Sequence, residues 1–163
     1  MRTGLEYALR RVHSAEQELT EDLLHIADKH RSEHEIHHVC LDVARWSQEN
    51  LAALAEVAAN YDVHLDAEVT DPGPLRHALD ALAAKTPGRP ASIALLEDLR
   101  DLFLVASETS LAWEMLAQHA QARRERDLLE LVTAAHPQTL RQLRWVNTMI
   151  KTLSPQALAS HDA

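Results

Sequence analysis

At 163 residues and a formal net charge of −9, the chain has room for one domain with a substantial core but not for two. Its surplus of acid excludes the electrostatics of a nucleic-acid binder. Three glycines and one phenylalanine among abundant Ala and Leu argue against strands and for helices.

No run approaches the roughly 18 apolar residues of a membrane helix, and Met1-Arg2-Thr3-Gly4-Leu5-Glu6 lacks the apolar core of a secretory signal. A single cysteine, Cys40, cannot form an internal disulfide and suits a reducing compartment, so a cytoplasmic protein is expected. Cys40 lies among Ile36, Val39 and Val43, which predicts a buried, unreactive thiol. The basic clusters Arg123, Arg124, Arg126 and Arg141, Arg144 are assigned to a helix junction and a solvated face.

The first predicted helix runs from about Leu5 to Lys29. Leu5, Ala8, Val12, Ala15, Leu19, Leu23 and Ile26 recur at steps of three and four, which gives one apolar face. The second follows almost at once, with Ser32 and Glu35 as a capping box and Ile36, Cys40, Val43, Ser47, Leu51, Leu54 and Ala58 as its stripe. So short a turn makes the two helices antiparallel neighbours.

A crossover is expected over about 61–91. Pro72, Gly73, Pro74, Pro87, Gly88 and Pro90 interrupt it, and Leu75, Leu79 and Leu82 suggest a short helix between the breaks. The third long helix is predicted from Ser92, as N-cap, to about Ala122, with Leu95, Leu99, Leu102, Ala106, Thr109, Trp113 and Leu116 inward. Further apolar residues occupy its other faces, as in a helix that is central or covered by another subunit. The fourth is predicted from Arg126 to Leu153. Its stripe is Leu129, Val132, His136, Leu140, Leu143, Val146 and Ile150, with a kink at Pro137 and a stop at Ser154-Pro155. The expectation is an all-α four-helix bundle with a long crossover between helices 2 and 3, one domain over 1–163.

Levelling the helices about their turns places Glu16 near Ser47 and Gln48, and Glu108 opposite Leu140, one turn from His136. Glu16, Glu108 and His136 are therefore expected to converge near mid-bundle, since a buried carboxylate needs a partner or a metal. On these residues and this helix order the chain resembles the ferritin-like superfamily over nearly its whole length.

The resemblance implies an iron or manganese site built from one Glu on each of helices 1 and 3 and a Glu-x-x-His on each of helices 2 and 4. Glu16 and Glu108 match the first and third positions. Helix 2 offers Asp42-Val43-Ala44-Arg45-Trp46-Ser47-Gln48 at that level, and helix 4 has Thr133 ahead of His136, so the ligand set is incomplete. The one Glu-x-x-His of helix 2, Glu35 to His38, lies about two turns nearer the helix end.

A histidine cluster, His25, His30, His34, His37 and His38, surrounds the first turn. His34 and His38 are spaced to chelate an ion, with Glu33, Glu35 and Asp42 as further ligands, although clusters at exposed helix ends are commonly solvated. A hemerythrin-like oxygen carrier would need more inward histidines than His119 and His136. Trp46, Trp113 and Trp145 sit in the long helices, with Trp46 and Trp113 as core or as the wall of a pocket for a small apolar ligand.

Two functional readings follow. One is a ferritin-like protein with a degenerate metal site and a binding or structural role. The alternative is a metal-dependent oxidase or iron-handling protein using Glu16, Glu108 and His136. A homodimer is expected through helix 3 or the crossover, with neither nucleic acid nor membrane as partner.

Overall fold

The computed structural model describes residues 3–69, 82 and 88–162. Four long helices account for most of them: α1 (Thr3–Lys29), α2 (His34–Ala59), α3 (Ala91–Arg123) and α4 (Arg126–Ala159). Among the described residues there is no strand. Of the expected crossover, Pro72, Gly73, Pro74, Leu75, Leu79 and Pro87 lie outside the described residues. Leu82 is exposed.

Side-chain contacts fix how the rods lie. At one end His30 meets Asp98 and His37 meets the Ala27 carbonyl. At the other, Tyr61 bonds Asp127. Midway, Thr109 reaches the Ala15 carbonyl and Gln142 reaches Val43. Each neighbouring pair is thus antiparallel. Helices α1–α2, α1–α3, α3–α4 and α2–α4 pack against each other while the diagonal pairs do not, giving the circular order α1, α2, α4, α3. The C-terminus of α2 and the N-terminus of α3 therefore lie at opposite ends. On leaving α2 the chain turns back along α1: Val63 is buried against the lower core, His13 Nε2 lies 2.9 Å from the Asp66 carbonyl, and Gln17 donates to the Glu68 carbonyl at 3.5 Å.

Several helix ends differ from the sequence expectation. The capping box at Ser32 does not form; Glu33 is the N-cap of α2 and makes no side-chain cap bond. Ser92 lies inside α3, whose N-cap is Pro90. Helix α4 runs through both Pro137 and Pro155 to Ala159. Pro155 ends nothing because it sits at the last turns, where one missing hydrogen bond costs little next to the burial of Ala157. Among the described residues, two that are not glycine adopt left-handed backbone, Asp62 (φ 59°) and Arg124 (φ 55°). Both lie just past a helix end. Val63 N–H bonds back to Ala58 O at 3.1 Å, and Glu125 N–H to Ala120 O at 3.0 Å, the six-to-one closure of a helix C-terminus.

The core has two apolar halves. One gathers Leu5, Leu9, Val12, Leu54, Trp113, Leu116 and Leu128; the other gathers Leu19, Leu23, Ile36, Ala44, Leu99, Leu102 and Val146. Cys40 is buried in the second, and burial pushes its thiol up to about 12, so it is an inert packing group.

Candidate functional site

A polar layer separates the two apolar halves. Glu16 and Thr20 from α1, Ser47 and Asn50 from α2, Thr109 from α3, and Thr139 and Gln142 from α4 are all buried. Every helix contributes, and the heptad-like spacing of the inward stripes brings these side chains to one level. Trp113 Nε1 donates to Glu16 Oε1 at 2.7 Å, and Asn50 Nδ2 donates to the same oxygen at 3.1 Å. Gln142 Nε2 donates to the Val43 carbonyl and to Ser47 Oγ, both at 2.9 Å. Thr20 Oγ1 donates to the Glu16 carbonyl, and Thr109 Oγ1 contacts the carbonyls of Ala15 and Val105.

Glu16 is fully buried. Desolvation pushes its carboxyl above its ordinary value, and the bonds from Trp113 and Asn50 with the nearby Ser47 hydroxyl, which favour the ionised form, do not offset that. No cation lies against it in the layer: its neighbours are an indole, amides and hydroxyls. Burial therefore shifts this carboxyl toward its protonated form.

Of the three residues expected to converge, only Glu16 faces the core. Glu108 is half-buried on the outer side of α3 and ion-pairs with Arg11 of α1, because Thr109, one residue on, takes the inward position. His136 packs on the α3–α4 seam, with Nε2 2.9 Å from Ser110 Oγ and Nδ1 3.8 Å from Glu114. The inward positions of α4 are Leu128, Leu131, Val132, Ala135, Thr139, Gln142, Val146 and Met149; Leu140 is exposed.

The donor chemistry of the layer does not fit the two-metal site implied by the resemblance. Such sites use several carboxylates and imidazoles. Here one carboxyl is present, one of its oxygens already accepts two N–H bonds, and the remaining groups are neutral amides and hydroxyls. Among the described residues no group of three or more His, Cys, Asp or Glu is placed to hold an ion.

The histidine cluster serves the fold. His30 Nε2 lies 2.7 Å from Asp98 Oδ2, which Lys29 Nζ meets at 2.8 Å. Burial raises the Asp98 carboxyl, but the bonds and charges of His30 and Lys29 outweigh it and hold it below its ordinary value. His37 Nδ1 lies 2.7 Å from the Ala27 carbonyl and closes the α1–α2 turn. His34 stacks on His38, which meets the edge of His37. His25 is half-buried on α1.

Trp113 is fully buried and committed to Glu16, while Trp46 and Trp145 are half-buried beside the second apolar half. A shallow groove on the outside of α4 is lined by Arg126, Leu129, Glu130, Thr133 and Ala134. Asn50, Thr139 and Gln142 were not singled out by the sequence reading. Their signal is present as Ser47-x-x-Asn50 and Thr139-x-x-Gln142, two polar pairs with i, i+3 spacing on inward faces. Comparison of the chain with protein-family models, with curated protein sequences and with solved structures returned no match.

Proposed function

We propose that the chain is a ferritin-like bundle, with its crossover between α2 and α3, whose metal-ligand positions carry neutral hydrogen-bonding side chains. It acts as a binding or structural protein rather than an oxidase. The positional match supports this reading. A di-metal bundle takes Glu from two helices and Glu-x-x-His from the other two. At one level this chain has Glu16 on α1, Ser47-x-x-Asn50 on α2, Thr109 on α3 and Thr139-x-x-Gln142 on α4. The observation that supports this reading is the capture of Glu16 Oε1 by Trp113 and Asn50, which commits one oxygen of the layer's one carboxyl to neutral hydrogen-bond donors.

Untagged protein equilibrated with Fe(II), Mn(II) or Co(II) is expected to retain no ion in a Glu16-dependent manner. Restoring the ligands with Ser47→Glu, Asn50→His, Thr109→Glu, Thr139→Glu and Gln142→His is expected to create Co(II) binding with a visible absorption band. Stoichiometric iron or manganese in the wild type, lost in Glu16→Ala, would instead establish the oxidase or iron-handling reading.

The second part of the proposal is self-association. Leu104, Leu111 and Met115 are exposed and, at steps of seven and four, form one ridge on α3. Such a ridge is self-complementary when two copies cross on it about a two-fold axis. The cytoplasmic assignment rests on the lone, buried Cys40. Among the described residues no helix is long and apolar enough to cross a membrane.

A further inference from the structure

Three polar atoms of the central layer, Glu16 Oε2, Thr139 Oγ1 and Gln142 Oε1, are buried and make no hydrogen bond to the protein. Their residues are completely removed from solvent. They belong to one place in the fold. Ser47 accepts from Gln142 Nε2 and also interacts with the Glu16 carboxyl, while Thr139 lies one turn from Gln142 on the same face of α4. Leaving three such groups unsatisfied costs about 1–3 kcal/mol each, a large penalty against the 5–15 kcal/mol stability of an ordinary domain.

We propose that the layer is a binding site for one small neutral molecule that both donates and accepts hydrogen bonds, water in the native protein, held by Glu16 Oε2, Thr139 Oγ1 and Gln142 Oε1. The donor and acceptor inventory selects this chemistry. Gln142 Oε1 is an acceptor that needs a donor. Oε1 already accepts two N–H bonds, so Oε2 needs an acceptor when Glu16 is protonated and a donor when it is ionised, and a water supplies either. The Thr139 hydroxyl serves as either. A water bonds Glu16 in either sense, donates to Gln142 and bonds Thr139, within the two to four partners usual for buried water. A cation would find a single carboxylate among neutral oxygens, with the protein supplying no further charge. The inference depends on these three atoms alone and stands or falls independently of the ferritin-like reading.

Magnetic relaxation dispersion of oxygen-17 water on the full chain tests it, because the amplitude reports waters whose residence exceeds molecular tumbling. Glu16→Leu and Thr139→Val are each expected to lower the amplitude by one water relative to wild type. Thr139→Val changes only a hydroxyl to a methyl and leaves the Glu16 contacts with Trp113 and Asn50 in place, so it decides the matter if Glu16→Leu does not fold. A loss in Thr139→Val supports the site. An amplitude unchanged or increased in Thr139→Val overturns it, whatever Glu16→Leu does.

Discussion

Two substitutions at Glu16 separate its role as a hydrogen-bond acceptor from its role as an acid. Glutamine keeps an oxygen for Trp113 Nε1 and Asn50 Nδ2 and places an N–H₂ where Oε2 stands, so Glu16→Gln is expected to fall within about 1 kcal/mol of wild type in urea unfolding. Leucine leaves the indole and amide donors buried without an acceptor, and Glu16→Leu is expected to cost about 2–4 kcal/mol. The acid itself is visible in the pH dependence. With its carboxyl raised from 4.5, the folded state keeps a proton that the unfolded chain releases, so this contribution is complete below about 4.5 and is lost as pH rises through the folded value. Subtracting the Glu16→Gln profile from wild type should therefore give a difference that declines upward in pH. Asp98 acts in the opposite sense. Its carboxyl is lowered from 3.8 by His30 and Lys29 despite burial, so its contribution is present above 3.8 and disappears as pH falls through the folded value. A pH series on Asp98→Asn isolates it.

Helix existence and pairing were legible because long apolar stripes and short turns leave few alternatives. The phase of α4 was not. In α4 the aliphatic residues Leu129, Leu140, Leu143 and Ile150 draw the stripe about one residue away from the buried line Leu128, Ala135, Thr139, Gln142, Val146 and Met149. In α3 the stripe through Thr109 and Trp113 was read as it is buried, and only Glu108, flanked by the exposed Leu104 and Leu111, was wrongly added to the inward set. A slip of one residue turns a helix by about 100°, enough to move His136 out of the core and to hide Thr139 and Gln142. Glu16, Ser47 and Thr109 were found because aliphatic neighbours carry their stripes inward, whereas in α4 the exposed and half-buried leucines outweigh the polar inward positions Thr139 and Gln142. The turn between these helices offers a separate check. Arg124 adopts φ 55° at the position glycine usually fills, so Arg124→Gly is expected to raise stability by about 1 kcal/mol, read as a shifted denaturant midpoint at unchanged slope.

At the scale of the whole molecule, the bundle resolves most of its apolar surface internally but leaves Leu104, Leu111 and Met115 on one line of α3. Three large exposed side chains at heptad-like spacing resemble half of a helix–helix seam. Glu108, four residues after Leu104 and three before Leu111, lies on that same line and pairs with Arg11, so an ion pair sits within the ridge. If two copies meet there as proposed, the contact is isologous and each ridge fills the groove beside the other. A charge at its centre then acts on both protomers at once. Leu111→Glu is thus expected to shift the protein from dimer to monomer in sedimentation velocity. The monomer's unfolding midpoint at high dilution should stay within about 0.5 kcal/mol of wild type, as for other surface substitutions away from the core. Met115→Glu should do the same, whereas Leu158→Glu, equally exposed but on the far end of α4, should leave the dimer intact. A wild-type protein that sediments as a monomer at all accessible concentrations would end the self-association reading. The central polar layer, which lies wholly within one chain, would be unaffected.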